Sequence, residues 1–168
     1  VAASPGAATG RIVFSAEAAQ SHASRGIDCI LVRRETSPED VRGMHAAVGV
    51  LTERGGITSH AAVIGRGIGL PCVVGVKDIR FQTRRKTLIC KDGRQLTEGD
   101  EITIDGTRGD ILFGSPKMVE AALDDAFQTL LEWTDEVSEM KVRANADTPQ
   151  DALTAKKFNA QGIGLCRT

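Results

Sequence analysis

The pattern of hydrophobic and polar positions in the first half of the chain predicts alternating strands and helices. Residues 1–10 are small and contain a Ser-Pro-Gly turn, so we expect a flexible entry to the fold. Helices are predicted at 16–24, from Pro38 to about Met44 with Thr36 or Ser37 as its cap, and from Thr58 or Ser59 onward. Short apolar runs that are typical of buried strands lie at 10–14, 27–32, 46–51 and 72–74. Strand, helix and strand at these spacings indicate an α/β unit.

The pattern changes between residues 84 and 113, where turns separate short apolar segments. Asp-Gly pairs at 92–93 and 105–106 are strong hairpin signals. Strands are predicted at 87–89, 95–96, 101–104 and 110–113. We therefore expect this part of the chain to form an antiparallel β layer.

A long helix is predicted after the β layer, from Ser115 to about Met140. Apolar side chains recur there at the helical period and form a stripe along one face. Trp133 lies within this segment and is expected to pack against a neighbouring element. A helix of this length between globular parts is expected to be a rigid connector.

The last part of the chain has the pattern of one βαβ unit. Strands are predicted at 141–145 and 162–166, with a helix over about 149–159 between them. Thr148 and Asp151 have the spacing of a capping box at the start of that helix.

Composition narrows the class of protein. The chain has 168 residues, a formal net charge of -1 and 41% hydrophobic residues, which fits a globular domain and gives no reason to expect nucleic acid or a membrane as partner. The absence of any CxxC pair argues against a zinc site or a disulfide framework, and favours reduced thiols in the cytoplasm. These scattered cysteines are Cys29, Cys72, Cys90 and Cys166. Because the chain starts at Val1 and ends directly after a predicted strand, we expect it to be a piece of a larger protein.

The segment from Thr52 to Arg66 combines a nucleophile with an anion site. An apolar strand leads into Gly55-Gly56, and His60 falls in the first turn of the following helix. A helix N-terminus attracts anions, and glycines let backbone N–H groups approach them closely. The same positive end disfavours imidazolium, and a neutral imidazole can act as a nucleophile. A histidine at a helix start is more often a surface or capping residue, so a non-catalytic anion-binding module stays open.

Four stretches of the chain resemble one known family. The segment Gly55-Gly56-x-Thr58-x-His60-Ala-Ala-Val-Ile resembles the phosphohistidine signature of the PEP-utilising enzymes, which include pyruvate phosphate dikinase, PEP synthase and enzyme I of the sugar phosphotransferase system. Residues 3–10, followed by a strand, resemble the entry to the swivelling domain of that family. Residues 142–149 and 162–168 resemble the opening of its PEP/pyruvate-binding barrel. Leu-Thr-Glu-Arg at 51–54 and Cys166 favour the dikinase among these members.

The resemblance implies a fold and a domain organisation. It implies an α/β fold with a swivelling β/β/α phosphohistidine domain over 1–114, a linker helix over 115–140 and the start of a (β/α)8 barrel over 141–168. An ATP-grasp domain and the rest of the barrel would be partners in the same chain, and the full-length protein would be a homodimer.

The resemblance also implies roles for particular residues. His60 would carry a phosphoryl group between an ATP/phosphate site and pyruvate, which interconverts pyruvate and PEP. Gly55, Gly56, Thr58 and Ser59 would support the phosphate, and Thr58 matches a regulatory phosphorylation site of plant members. Arg167 would bind the PEP phosphate in a complete barrel. Mg²⁺ is expected in the full-length enzyme, and no metal ligand is expected in this chain. A PEP synthase or enzyme I carrier domain is the alternative within the family.

Overall fold

The computed structural model describes residues 1–82, 84–117, 125–157 and 159–164. It divides the chain into two compact units, Val1–Met118 and Val119–Thr168.

The first unit contains strands and helices in alternation, followed by strands alone. Its helices are α1 (Ala16–Ser24), α2 (Val41–Ala46) and α3 (His60–Ile68), and a 3₁₀ turn at Pro38–Asp40 directly precedes α2. Its strands are β1 (Ala2–Ser4), β2 (Ala7–Val13), β3 (Cys29–Arg33), β4 (Gly49–Thr52), β5 (Cys72–Val73), β6 (Ile79–Gln82), β7 (Thr87–Cys90), β8 (Gln95–Thr97), β9 (Glu101–Asp105) and β10 (Asp110–Phe113). The mixed α/β class predicted from the sequence is confirmed.

Most of these strands form one seven-stranded sheet with the order β1-β5-β4-β3-β2-β9-β10. The four central strands β5, β4, β3 and β2 are mutually parallel, whereas β1, β9 and β10 pair antiparallel at the two sides. Strands β6, β7 and β8 form a separate antiparallel sheet. Because β3, β4 and β5 are parallel, the loops that follow them leave from the same edge of the sheet, which is where α/β folds hold ligands.

The parallel strands are buried on both faces, and alternate residues point into two different cores. Leu31 and Val50 pack with residues of the helices, such as Met44 and Ala62. The second core lies on the other face and contains Ile12, Ile30, Leu51, Ile79 and Leu88, which joins the sheet to β6 and β7. Helices therefore cover one face of the sheet and the small antiparallel sheet covers the other.

The predicted flexible entry is wrong. Residues 2–4 form the edge strand β1 on β5, and Ala3 and Ser4 are buried. The amino group of Val1 donates to the Val74 carbonyl at 2.7 Å. Backbone pairing at a sheet edge holds this segment, and pairing of that kind leaves no hydrophobic signal in small side chains.

The β layer also differs from the expectation. Strands β9 and β10 extend the main sheet through β2, so only part of this region forms a separate antiparallel layer. Strand β6, whose residues Arg80 and Gln82 are exposed, was not predicted from the sequence.

The second unit contains α4 (Asp125–Val137), β11 (Arg143–Ala144), α5 (Pro149–Lys157) and β12 (Gly162–Ile163). Strands β11 and β12 pair in parallel around α5, so the predicted βαβ unit is confirmed. The capping box is present: the Thr148 N–H donates to Asp151 Oδ2 at 3.0 Å, and the Asp151 N–H donates to Thr148 Oγ1 at 3.2 Å.

The predicted long helix is seen only in part. Residues 115–117 lie outside any helix, α4 ends at Val137, and residues 118–124 are not among those described. The expectation that Trp133 packs against a neighbour is wrong, since 62% of Trp133 is exposed. Leu130 and Val137 on the same apolar stripe are exposed as well, so these described positions of the stripe are not buried.

Candidate functional site

The loop after β4 contains one position, Gly55, whose backbone conformation only glycine adopts easily. Thr52 is buried, its hydroxyl donates to the Arg54 carbonyl at 2.7 Å, and its own carbonyl accepts the Val76 N–H at 3.1 Å. Gly55 has a φ of +117°, and a Cβ there would lie 2.9 Å from Ser59 Cβ. The chain therefore turns tightly at Gly55, so that Ser59 and the helix after it come close to the loop.

The neighbouring glycine, Gly56, has no such requirement. A Cβ at Gly56 would meet no atom within 4 Å, and its φ lies outside the left-handed region. A close approach is instead made by Gly75, whose φ is +59° and where a Cβ would overlap the Gly55 carbonyl. The steric need for glycine thus falls on Gly55 and Gly75 rather than on the Gly55-Gly56 pair.

Helix α3 begins at His60 and presents its N-terminus next to this loop. Ser59 is the N-cap residue with extended backbone angles, and its side chain makes no capping hydrogen bond. Its Oγ is buried and has no hydrogen-bond partner among the described residues. The first turn of α3 contains no acidic residue. Its unpaired N–H groups are therefore left for an external anion.

The His60 ring is oriented by Thr36, a residue from the loop after β3. Thr36 Oγ1 lies 3.3 Å from His60 Nδ1, and Thr36 is buried. When Nδ1 carries the ring proton and donates it to this hydroxyl, Nε2 holds the free lone pair. His60 is half-buried, so the ring is supported on one side and still open to solvent.

A buried carboxylate fixes the loop that contains Thr36. Asp40 is only 3% exposed; its Oδ2 accepts the Ser37 N–H at 2.9 Å, and its Oδ1 lies 3.2 Å from Arg33 Nε. Arg33 also donates to the Phe14 carbonyl at 2.9 Å. A buried charge is costly unless paired, so this ion pair holds the loop in one arrangement.

An arginine at the far end of α3 ties the helix to its surroundings. Arg66 donates to the carbonyl of Ile57 at 2.7 Å and to that of Ala3 at 3.0 Å. Ile57 belongs to the loop between Gly55 and His60, so Arg66 restrains the backbone just before the histidine. No sequence pattern points to this contact, because it joins residues from separate parts of the chain.

The thiol beneath α3 is structural. Cys72 Sγ donates to the Ala61 carbonyl at 3.7 Å, and Gly65 leaves room for this sulfur, since a Cβ there would overlap it. Burial raises the pKa of Cys72 to about 12 and that of Cys29 to about 11. Both thiols are therefore protonated and unreactive at neutral pH.

The residues that the sequence singled out fall into two groups. Gly55, Gly56, Thr58, Ser59 and His60 lie on one continuous loop and helix start, with Thr58 exposed. Arg167 lies outside the described residues. In the described parts of the chain, no three His, Cys, Asp or Glu side chains are grouped so as to hold a metal ion. No helix in those parts is long and apolar enough to cross a membrane.

Sequence reasoning missed the contact between Thr36 and His60, because it considered Thr36 or Ser37 only as the cap of the helix at Pro38. Ser37 occupies the N-cap position, and Thr36 contacts His60. The available signal was topological: Thr36 and His60 follow strands β3 and β4, which are parallel neighbours, so their loops meet at one sheet edge.

Two family models match this chain. The mobile domain of PEP-utilising enzymes matches residues 27–109, which include the loop and His60, and the PEP-binding domain of PEP-utilising enzymes matches residues 121–168. This chain belongs to the PEP-utilising enzyme family. His60, Gly55 and Thr36 all lie within the match to the mobile domain.

Pyruvate phosphate dikinases are similar to nearly the whole of this chain. The chloroplastic pyruvate, phosphate dikinase of Flaveria pringlei and the pyruvate, phosphate dikinase of Rhizobium meliloti strain 1021 are each 53% identical to it over 166 residues. These alignments cover 99% of this chain, 17% of the first relative and 18% of the second. A solved structure described as an NMR solution structure of Enzyme I matches with 22% identity and a TM-score of 0.38, over 64% of this chain and 38% of that one.

Proposed function

We propose that this chain is the phosphoryl-carrier part of a pyruvate phosphate dikinase, with His60 as the carrier. The observation that supports this most directly is the contact between Thr36 Oγ1 and His60 Nδ1 at 3.3 Å, at the N-terminus of α3. When Nδ1 carries the ring proton and donates it to this hydroxyl, Nε2 is the free nitrogen next to the N-terminus of α3. The 53% identity to dikinases over nearly the whole chain supports this member of the family over PEP synthase or enzyme I.

The chemistry follows from this geometry. The Nε2 lone pair attacks phosphorus, and the bond from phosphorus to the leaving oxygen breaks as the P–N bond forms. The ring gains positive charge in this step, and its Nδ1–H stays hydrogen-bonded to Thr36 Oγ1. N–H groups of the first turn of α3 stabilise the phosphoryl oxygens. Transfer to an acceptor reverses these changes and restores the neutral ring.

The remaining parts of the chain have roles in this proposal. Residues 1–114 would be the swivelling β/β/α domain, 115–140 the linker helix and 141–168 the start of the PEP/pyruvate barrel, with Arg167 binding the PEP phosphate. An ATP-grasp domain would supply the phosphoryl group, and pyruvate would receive it. Mg²⁺ belongs to those neighbouring domains in the proposal, because the described residues offer no ligand set for it.

Thr58 would be a regulatory site in this proposal, and the buried thiols bear on the compartment. Thr58 is exposed two residues before His60, so its hydroxyl is accessible to a protein kinase and a phosphate there would repel a phosphoryl group on His60. The buried, protonated thiols of Cys29 and Cys72 fit the reducing cytoplasm that the sequence predicts.

The carrier role is tested by mass spectrometry on full-length dikinase containing this sequence. After addition of PEP and Mg²⁺, wild type should gain one acid-labile phosphoryl group on the peptide that contains His60, and His60→Asn should gain none. An acid-labile phosphoryl group on the His60→Asn protein would refute the proposal.

The choice within the family is tested by the products. In the PEP-forming direction, the dikinase should require phosphate and form pyrophosphate. Release of phosphate without pyrophosphate would identify a PEP synthase instead.

A further inference from the structure

A pocket lined by cationic side chains lies beside the His60 loop. A surface pocket of about 360 Å³ opens between the ends of β4, β5 and β6. Ile79 and Val76 lie at its base, and its rim contains Glu53 and four cationic side chains, namely Arg34, Arg54, Lys77 and Arg80. This volume is at the lower end of the range for small-ligand sites, which begins at about 300 Å³.

The topology explains why these cations meet. Arg34 follows β3, Arg54 follows β4 and Lys77 follows β5, which are parallel neighbours in the sheet. All three are therefore at the carboxyl edge of the sheet, the same edge from which Thr36 and Gly55 emerge. The backbone of the pocket is fixed, since the Arg54 N–H donates to the Arg34 carbonyl at 2.8 Å.

The four cations have no ion-pair partner among the described residues. Arg34, Arg54, Lys77 and Arg80 are exposed, and none of their side chains forms an ion pair or hydrogen bond with the described residues. Glu53, the one carboxylate of the rim, accepts the Phe81 N–H at 2.9 Å. The chain as a whole has a formal net charge of -1, so this excess of positive charge is a local feature.

We propose that this pocket binds an anion with two or more linked phosphate groups, either free pyrophosphate or the phosphate tail of a nucleotide. Three features favour this chemistry. The unpaired guanidinium groups suit bidentate contacts with phosphate oxygens. Four cations around one cavity match an anion with several charges better than a single carboxylate. The small apolar share of the lining gives an uncharged ligand little to contact. The inference does not require His60 to be the phosphoryl carrier.

The test is a binding titration of the 168-residue chain by amide-resolved NMR at low ionic strength. Pyrophosphate, tripolyphosphate, ATP and orthophosphate are compared without Mg²⁺. Pyrophosphate and tripolyphosphate should bind saturably with a Kd on the order of 1 mM or below, and orthophosphate should bind more weakly. Shifts should centre on the amides of Arg54, Val76 and Lys77. ATP tighter than tripolyphosphate would identify a nucleotide as the source, and equal affinity would identify the phosphate chain alone.

Charge variants should change the affinity for pyrophosphate in opposite directions. Arg54→Gln removes one cation and should weaken pyrophosphate binding about fivefold, whereas Glu53→Gln removes the only rim carboxylate, keeps an acceptor for the Phe81 N–H and should strengthen it by a similar factor. The matched control is Arg108→Gln, a loss of the same charge on the turn between β9 and β10, which should change little.

The outcomes that would overturn the proposal are specific. The proposal is refuted if neither pyrophosphate nor tripolyphosphate binds saturably. It is also refuted if Arg54→Gln and Arg108→Gln weaken pyrophosphate binding equally. Binding of polyglutamate without binding of phosphates would assign the pocket to an acidic protein surface instead. The His60→Asn chain should bind pyrophosphate as wild type does. The binding titration therefore tests this pocket separately from the carrier role of His60.

Discussion

Gly55 and Gly56 offer a matched pair of substitutions, because identical changes at adjacent positions have opposite expected effects. At Gly55, alanine has to adopt a φ of +117°, and its Cβ would lie 2.9 Å from Ser59 Cβ and 3.0 Å from Ser59 Oγ. A residue forced into such a backbone region costs about 1–3 kcal/mol, and the close contact adds about 1 kcal/mol. We therefore expect Gly55→Ala to lower the free energy of unfolding by about 2–4 kcal/mol.

At Gly56 the same change meets nothing within 4 Å and no left-handed backbone. Alanine reduces the conformational freedom of the unfolded chain, so Gly56→Ala should be neutral or stabilising by up to about 1 kcal/mol. The difference between the two variants reports the strain at Gly55 and is independent of any effect that alanine has in general.

The assay has to observe the first unit. Trp133, the sole tryptophan, lies in the second unit, so its fluorescence does not follow unfolding of the site. Methyl NMR signals of Leu31 and Val50, which are fully buried beside α2 and α3, give a direct signal in a urea titration. If Gly55→Ala lay within about 0.5 kcal/mol of wild type, or if Gly56→Ala were equally destabilising, the conclusion that Gly55 positions the loop would be wrong.

Three further outcomes are expected. Thr36→Val should slow phosphorylation of His60 about tenfold, with an altered ring tautomer in ¹⁵N NMR, whereas Thr36→Ser retains the hydroxyl and should stay near wild type. Hydrogen bonds from Thr148 lower the pKa of Asp151. The cap on α5 should therefore be intact at pH values above the usual aspartate pKa and be lost as the pH falls through the lowered pKa. A Thr148 amide signal that did not move in acid would contradict this. Trp133 is exposed, so its fluorescence should be red-shifted and readily quenched by acrylamide, and a blue-shifted emission would show a buried ring.

The central strands were predictable because their burial shows in the sequence. Cys29–Arg33 and Gly49–Thr52 carry apolar side chains toward both cores, which produces continuous hydrophobic runs. Helix α1 was predicted with its observed bounds, and Ser15 caps it by accepting the Ala18 N–H at 3.1 Å. Local chemistry of this kind is contained in a few neighbouring residues.

The parts that were not predictable depend on contacts between distant segments. Strand β1 is held by backbone pairing with β5, about seventy residues away, and small side chains give no sign of it. Thr36 lies 24 residues before His60, and a cap was a sufficient local explanation for a threonine before Pro38. The candidate histidine was recognisable from its motif, whereas the residue that orients its ring required the strand order of the sheet.

The surface around His60 explains why the site suits a carrier better than a complete active site. Ile57, just before the histidine, is 61% exposed, and Val63, one turn after it on the same side of α3, is 52% exposed. Exposed apolar side chains beside a nucleophile are typical of a surface that a partner covers. In the proposed function His60 is the nucleophile, Thr36 orients its ring and the first turn of α3 supplies backbone donors, whereas the described residues contain no cluster of side chains that could hold a metal ion. In the proposed function, phosphoryl transfer would require another surface to close over Ile57 and Val63, which would exclude water and bring the donor or acceptor to Nε2.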